Sequence, residues 1–301
     1  MTYFVVYGTR NAVAYTNALT NVTVSPTTSG PWNINVYAYN ATYGLLARGY
    51  LIAGLIVDKM ILRFDASNPL SYSATGSTLT QLKDMSGLGN NTNAVRATAP
   101  TIVTSAINTM PAFKLTGGGF NGIFASTYSG STFSFYMVMS YTGGANSNRW
   151  LSFSNGADDY GGTYAFMIDT TGTTYPSITR NNPTKVGPAT TIVQSTPTIV
   201  SGYFDGTNMY IGLNGGNGTA GTTTYSSLAS TGVFTLSQYG IGAYSNTGST
   251  SYVDTMNLGE VIIYTSSPTL AERQSIEGFL AQKWHLQNKL ATTHPFYNAS
   301  N

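Results

Sequence analysis

The chain is 301 residues long, room for one large domain or for a domain with an appendage. Only 8% of it is charged and the net charge is +2, against roughly 25% charged residues in ordinary soluble proteins; with no Lys/Arg cluster to neutralise phosphates, nucleic acid is excluded as a partner. The chain has 0 cysteines and 2 histidines, His285 and His294, which excludes disulfides, thiolate metal sites and His-rich metal sites.

Residues 1–57 carry no acidic side chain. Segments 3–7 and 32–39 read as strands, the second with alternating polarity, and a polar link with Pro26, Ser29, Gly30 and Pro31 joins them. Two or three strands cannot bury a sizeable core alone. Residues 1–57 are therefore expected to form a β arm that pairs with the main domain or with a neighbouring subunit. The start lacks a basic segment followed by an apolar core, so no secretory signal is expected. The longest apolar run, 49–57, is shorter than the roughly 20 residues of a membrane span.

A second domain is expected over 58–301. It opens with the strand 60–65, which runs into a turn at Asn68-Pro69. Short strands then recur between Gly, Asn, Ser and Thr clusters, at 112–115, 133–139, 150–153, 163–168 and 199–204. Asp205-Gly206 supplies a hairpin turn into a strand over 208–213. So many strands with almost no helix predict an antiparallel sandwich.

The closing stretch is the most legible. Val261, Ile262, Ile263 and Tyr264 suit a strand over 258–264. The pattern then predicts a helix over 269–290, with Thr269 and Glu272 as a capping box. Leu270, Ile276, Phe279, Leu280 and Trp284 recur at helical spacing and form its apolar face, while Arg273, Glu277 and Lys283 point elsewhere. Trp150 and Trp284 are assigned to the core and to the helix-packing face, and His294-Pro295-Phe296 to a terminal tuck.

Several of these segments are familiar. Phe64-Asp65-Ala66, residues 82–90 and residues 110–115 resemble the opening of concanavalin A-like, laminin-G-type domains. Asp205-Gly206 with Asn214-Gly215 is similar to a hairpin common in them. The closing stretch, with Gly259-Glu260, Leu270-Ala271-Glu272-Arg273, Lys283-Trp284-His285 and His294-Pro295-Phe296, resembles one found in such domains of large DNA viruses, phages and bacterial surface proteins. The resemblance covers about residues 60–297. It implies an all-β, concanavalin A-like jelly-roll sandwich of two antiparallel sheets, with one C-terminal helix packed outside and the N-terminal β arm beyond it. Relatives of this kind bind glycans or proteins, hydrolyse β-glucans, or serve as structural modules, and fold does not choose among these.

Residue patterns narrow the choice. Glucan hydrolysis needs two carboxylates roughly 5 Å apart, which alternate acidic positions on one strand would supply. No E-x-D-x-E run occurs: Glu260, Asp169 and Asp205 are each isolated, and Glu260 is expected to pair with backbone or Arg at a strand end. Asp158 and Asp159, in a Gly-flanked loop, suit an oxygen-seeking calcium ion, the one cofactor suggested, or else a solvated turn. A glycan site would combine aromatic platforms with amides and carboxylates, as Asn155, Asp158, Asp159, Tyr160, Tyr244 and Asn246 do; tyrosines that tile a low-charge surface are the alternative.

The expectation is a non-enzymatic structural or adhesion protein in a larger assembly, as a minor capsid or surface component of a virion. Its partners would be other capsid or surface proteins, and a cell-surface polysaccharide is a further partner. An extracellular lectin for host or cell-wall polysaccharide is the alternative, and a glycan hydrolase or lyase a second one.

Overall fold

The computed structural model describes residues 2–7, 12–15, 32–40, 44–53, 59–143, 149–156, 166–171, 175–179, 185–218, 222–245 and 255–298. The chain divides into two compact units, Met1–Ile56 and Val57–Asn301.

The first unit is an antiparallel sheet of β1 (Thr2–Tyr7), β2 (Ala12–Tyr15), β3 (Trp32–Asn40) and β4 (Gly44–Ala53), in the order β2-β1-β3-β4. Its register sets Val6 opposite Val36, and Val36 opposite Gly49. Two of these strands escape a reading by pattern. Residues 12–15 are too few to show a period, and Gly44, Arg48 and Gly49 interrupt the apolar run of β4.

In the second unit the strands begin with β5 (Met60–Asp65), β6 (Tyr72–Thr75), β7 (Thr78–Leu82), β8 (Thr92–Ala97) and β9 (Thr101–Ile107). They continue with β10 (Met110–Thr116), β11 (Gly118–Gly130), β12 (Phe133–Tyr141), β13 (Arg149–Ser154), β14 (Phe166–Thr171) and β15 (Tyr175–Thr179). The last are β16 (Lys185–Val186), β17 (Pro197–Phe204), β18 (Asn208–Leu213), β19 (Ser226–Ala229), β20 (Phe234–Ile241) and β21 (Thr255–Tyr264). They form two antiparallel sheets, a jelly-roll-type sandwich. The larger runs β19-β18-β17-β12-β21-β10-β9-β7-β6, and the smaller β16-β15-β14-β13-β20-β11-β8. On one edge β21 pairs with β12; on the other it pairs first with β10, at Thr255 to Leu258, and then with β5, at Glu260 to Tyr264.

Aromatic rings bridge the sheets. Phe133 on β12 stacks on Phe166 of β14 at 4.8 Å and meets Phe153 of β13 at 5.1 Å. Phe64 on β5 reaches Tyr239 of β20 at 6.2 Å. Every residue of β12 is buried, because its other face is covered as well. A strand covered on both faces reads as a continuous apolar run, which is what Phe133 to Met139 shows.

The cover on that outer face is helix α1 (Leu270–Lys283), which packs on β12 and β17. Its capping box is closed: Thr269 Oγ1 accepts from Glu272 N at 3.2 Å, and Glu272 Oε2 accepts from Thr269 N at 2.7 Å. Ile276, Phe279, Leu280 and Trp284 are buried as expected. Two expectations are corrected: Arg273 and Glu277 are buried, with Glu277 at 0% exposure, and Leu270 stands 57% exposed. Hydroxyls of Ser201 and Tyr225 and the carbonyl of Thr223 offer partners there, so polar side chains can be buried while hydrogen-bonded.

Two glycines fit the helix and the following chain to the sandwich. A Cβ at Gly259 would lie 2.8 Å from the Trp284 ring. A Cβ at Gly278 would overlap the ring of Phe296, which together with buried His294 forms the tuck. Helix propensity alone would make Gly278→Ala stabilising by about 1 kcal/mol. Overlap with Phe296 costs about 1–3 kcal/mol, so the substitution is expected to destabilise. In a Phe296→Ala background the sign should reverse; urea denaturation of the single and double variants tests this, and equal effects in both backgrounds would contradict it.

Candidate functional site

Three polar clusters meet around α1. The first joins β5, β21 and the end of the helix. Glu260, fully buried, accepts at Oε1 from Arg63 Nε at 2.9 Å, and at Oε2 from Lys283 Nζ at 2.6 Å and Trp284 Nε1 at 3.0 Å. Asp65 lies opposite Glu260 in register, and Lys283 Nζ is 2.5 Å from its Oδ2. Two carboxylates thus do come together across neighbouring strands, a pairing invisible to a search along one strand. The surroundings of Asp65 do not suit a general acid. Burial alone would raise the Asp65 carboxyl, but Lys283 and then Arg63 hold it below its ordinary value. A general acid needs the reverse shift.

The second cluster lies under the middle of the helix. Ser201 on β17 donates to Glu277 Oε1 at 2.9 Å, and Tyr225 donates to the same oxygen. His294 Nε2 stands 3.2 Å from Glu277 Oε2, and Arg273 Nε 3.8 Å from it. Elsewhere, Asp169 on β14 is paired with Ser177 and with Lys185 at 3.0 Å; burial raises its carboxyl despite Lys185. Asp84 accepts from the backbone of Arg63, Ser86 and Asn90, and Asp205 from Thr207 and Asn208. With Glu272 in the capping box, each carboxylate among the described residues holds a structural partner.

The third cluster opens to solvent. It is a cleft of about 290 Å³ between β17–β19, residues 223–225 and the start of α1, bounded there by Pro268, Thr269 and Leu270. The hairpin sets Tyr203 opposite Tyr210, and Tyr210 opposite Ser227. The two rings stack at 4.3 Å and 13°. Tyr203 then meets Tyr225 at 6.0 Å, and the Arg273 guanidinium lies 4.0 Å from the Tyr225 ring centroid. Arg273 Nη2 donates to Thr223 O at 2.7 Å. Burial pushes the Tyr203 phenol up, against the opposing Arg273 charge; burial, then a hydrogen bond to Asp205, raises Tyr210. Both phenols therefore remain protonated donors at neutral pH. Arranged side by side with threonine and serine hydroxyls, the rings can stack on a ligand face while the hydroxyls bond its polar edge.

The residues that sequence reasoning offered for a glycan site do not line this cleft. Asn155 is exposed just beyond β13, whereas Tyr244 is only 9% exposed, its ring packed against the protein with the Arg149 guanidinium carbon 5.7 Å from its centroid. Asp158, Asp159, Tyr160 and Asn246 lie outside the described residues, and so does the calcium site suggested for Asp158 and Asp159. A signal for the cleft did exist in the sequence: a turn at Asp205-Gly206 brings Tyr203 against Tyr210. Nothing local points to Arg273 or Thr223, which arrive from distant segments.

No family model and no curated protein matches the chain. Among solved structures, a GH54 α-L-arabinofuranosidase aligns with a TM-score of 0.50 at 13% identity, over 66% of this chain and 50% of the other. Domain 4 of AbnA, a GH43 arabinanase from Geobacillus stearothermophilus in complex with arabinotriose, aligns with a TM-score of 0.46 at 11% identity, over 71% of this chain and 96% of that one. A botulinum neurotoxin type C structure, whose cell entry depends on two ganglioside molecules, gives 0.49 at 14% identity, over 75% and 52%. The chain spans about half the length of the arabinofuranosidase and neurotoxin chains that it matches. At these identities the likeness concerns the fold, a β-sandwich that the arabinofuranosidase shares.

Proposed function

We propose that this chain is a non-catalytic adhesion component that holds a glycan in the cleft formed by Tyr203, Tyr210 and the start of α1. One observation carries the reading: the cleft presents stacked tyrosines and a row of hydroxyls, and none of its lining residues is a carboxylate. Such a surface recognises a polyol and has no group to cut it. The commitment of Glu260 and Asp65 to Arg63, Lys283 and Trp284 supports the non-catalytic half. The setting we infer, from the resemblance of the closing stretch, is the surface of a virus particle with capsid or other surface proteins as neighbours. The division of the chain at Ile56 supports a separate attaching unit.

Titration of the full chain against a glycan array, followed by calorimetry on the hits, tests the reading. Tyr203→Ala and Tyr210→Ala are each expected to weaken binding by at least about tenfold, the loss of roughly 1.4 kcal/mol of stacking and hydrogen bonding. Binding that is unaffected by both changes places the glycan elsewhere. Turnover of a glycan that disappears in Glu260→Gln would overturn the non-catalytic half.

A further inference from the structure

Resting on that reading, we infer that the cleft selects a neutral sugar, one ring at a time, over an acidic one. Two features of the cleft would ordinarily attract an anion, the Arg273 guanidinium and the N-terminal end of α1. Each already carries its own carboxylate. Arg273 Nε lies 3.8 Å from Glu277 Oε2, its Nη2 is given to Thr223 O, and its plane covers Tyr225, so its charge is balanced from within. The helix start is closed by Glu272, whose Oε2 takes the Thr269 N–H at 2.7 Å. A third carboxylate, Asp205, sits at the hairpin tip beside Tyr210 and would repel an anion.

What remains for a ligand is uncharged: the rings of Tyr203 and Tyr210, the hydroxyls of Ser227 and Thr269, and the Tyr210 hydroxyl, which donates to Asp205 and whose oxygen is left to accept. Hydroxyls that donate and accept match the alcohol groups of a sugar without the desolvation that a buried carboxylate requires. The cleft of about 290 Å³ is at the small end of ligand pockets, which suits a single ring rather than a run of them.

The test is calorimetry of the full chain with matched pairs, glucose against glucuronate and galactose against galacturonate, with N-acetylneuraminate as a further anion, at low and high sodium chloride. Neutral sugars should bind at least about tenfold more tightly than their acidic partners, with affinity almost independent of salt. Tyr210→Phe, which keeps the ring and removes the hydroxyl, should weaken neutral binding. Glu272→Gln, which keeps the capping acceptor and removes its negative charge from the helix start, should narrow the preference. An acidic sugar that binds more tightly than its neutral partner, with affinity that falls as salt rises, overturns the selectivity and leaves the glycan reading standing. Failure of every sugar, neutral and acidic, overturns both.

Discussion

Replacing Glu260 with alanine is expected to lower the free energy of unfolding by about 3–5 kcal/mol, because it leaves two part-buried cations, Arg63 and Lys283, to share Asp65 as their one carboxylate and leaves the Trp284 indole N–H without its acceptor. That is a large part of the 5–15 kcal/mol typical of a folded domain. Urea denaturation checks it, and a loss below about 1 kcal/mol would show that the buried cluster contributes no more than a surface ion pair does. The same cluster predicts an acid dependence. Asp65 titrates below its ordinary 3.8 in the native state, held there by Lys283 and Arg63 against its own desolvation. A carboxyl with a depressed native value contributes its stability in full above the unfolded value, and loses it as the pH falls from about 4 through the native one. Lys283→Met should flatten the stability profile in that window, and an unchanged slope there would sink the idea.

A comparable loss is expected for Glu277→Ala. The carboxylate accepts from Ser201 and Tyr225 at one oxygen and is approached by His294 and Arg273 at the other, all in the buried layer between helix and sheet. Removing it leaves a buried cation and several donors without an acceptor, at a cost of about 3–5 kcal/mol. Glu277→Gln keeps one acceptor oxygen and should cost less, about 1–3 kcal/mol. Thermal unfolding followed by circular dichroism ranks the variants; if Gln is as damaging as Ala, the ionic part of the cluster dominates over its hydrogen bonds.

How far the sequence could be read depended on distance along the chain. The Thr269–Glu272 capping box is a contact between residues three apart, and the spacing alone announces it. The closing strand was legible because Val261, Ile262 and Ile263 carry their preference locally. Glu277 was not, since its partners Tyr225 and Ser201 are 52 and 76 residues away. Without knowledge of those partners, a glutamate on a helix is assigned to solvent. Glu260 lay between these cases: its pairing with an arginine was expected, but the meeting with Asp65 depends on the register of β5 against β21. The cleft was half legible, through the hairpin that stacks Tyr203 on Tyr210, and half hidden, through Arg273 and Thr223.

The place of β21 in the large sheet has a consequence for how the chain is made. It pairs with β12, β10 and β5, yet follows every one of them in sequence. As the polypeptide leaves the ribosome, those three strands wait with open edges until residues 255–264 emerge. The apolar side of β12 waits longer still, for the helix. Ordering of this sandwich is thus deferred until nearly all of its residues are available. Such a nascent chain folds late and slowly, and is exposed to aggregation in the interval.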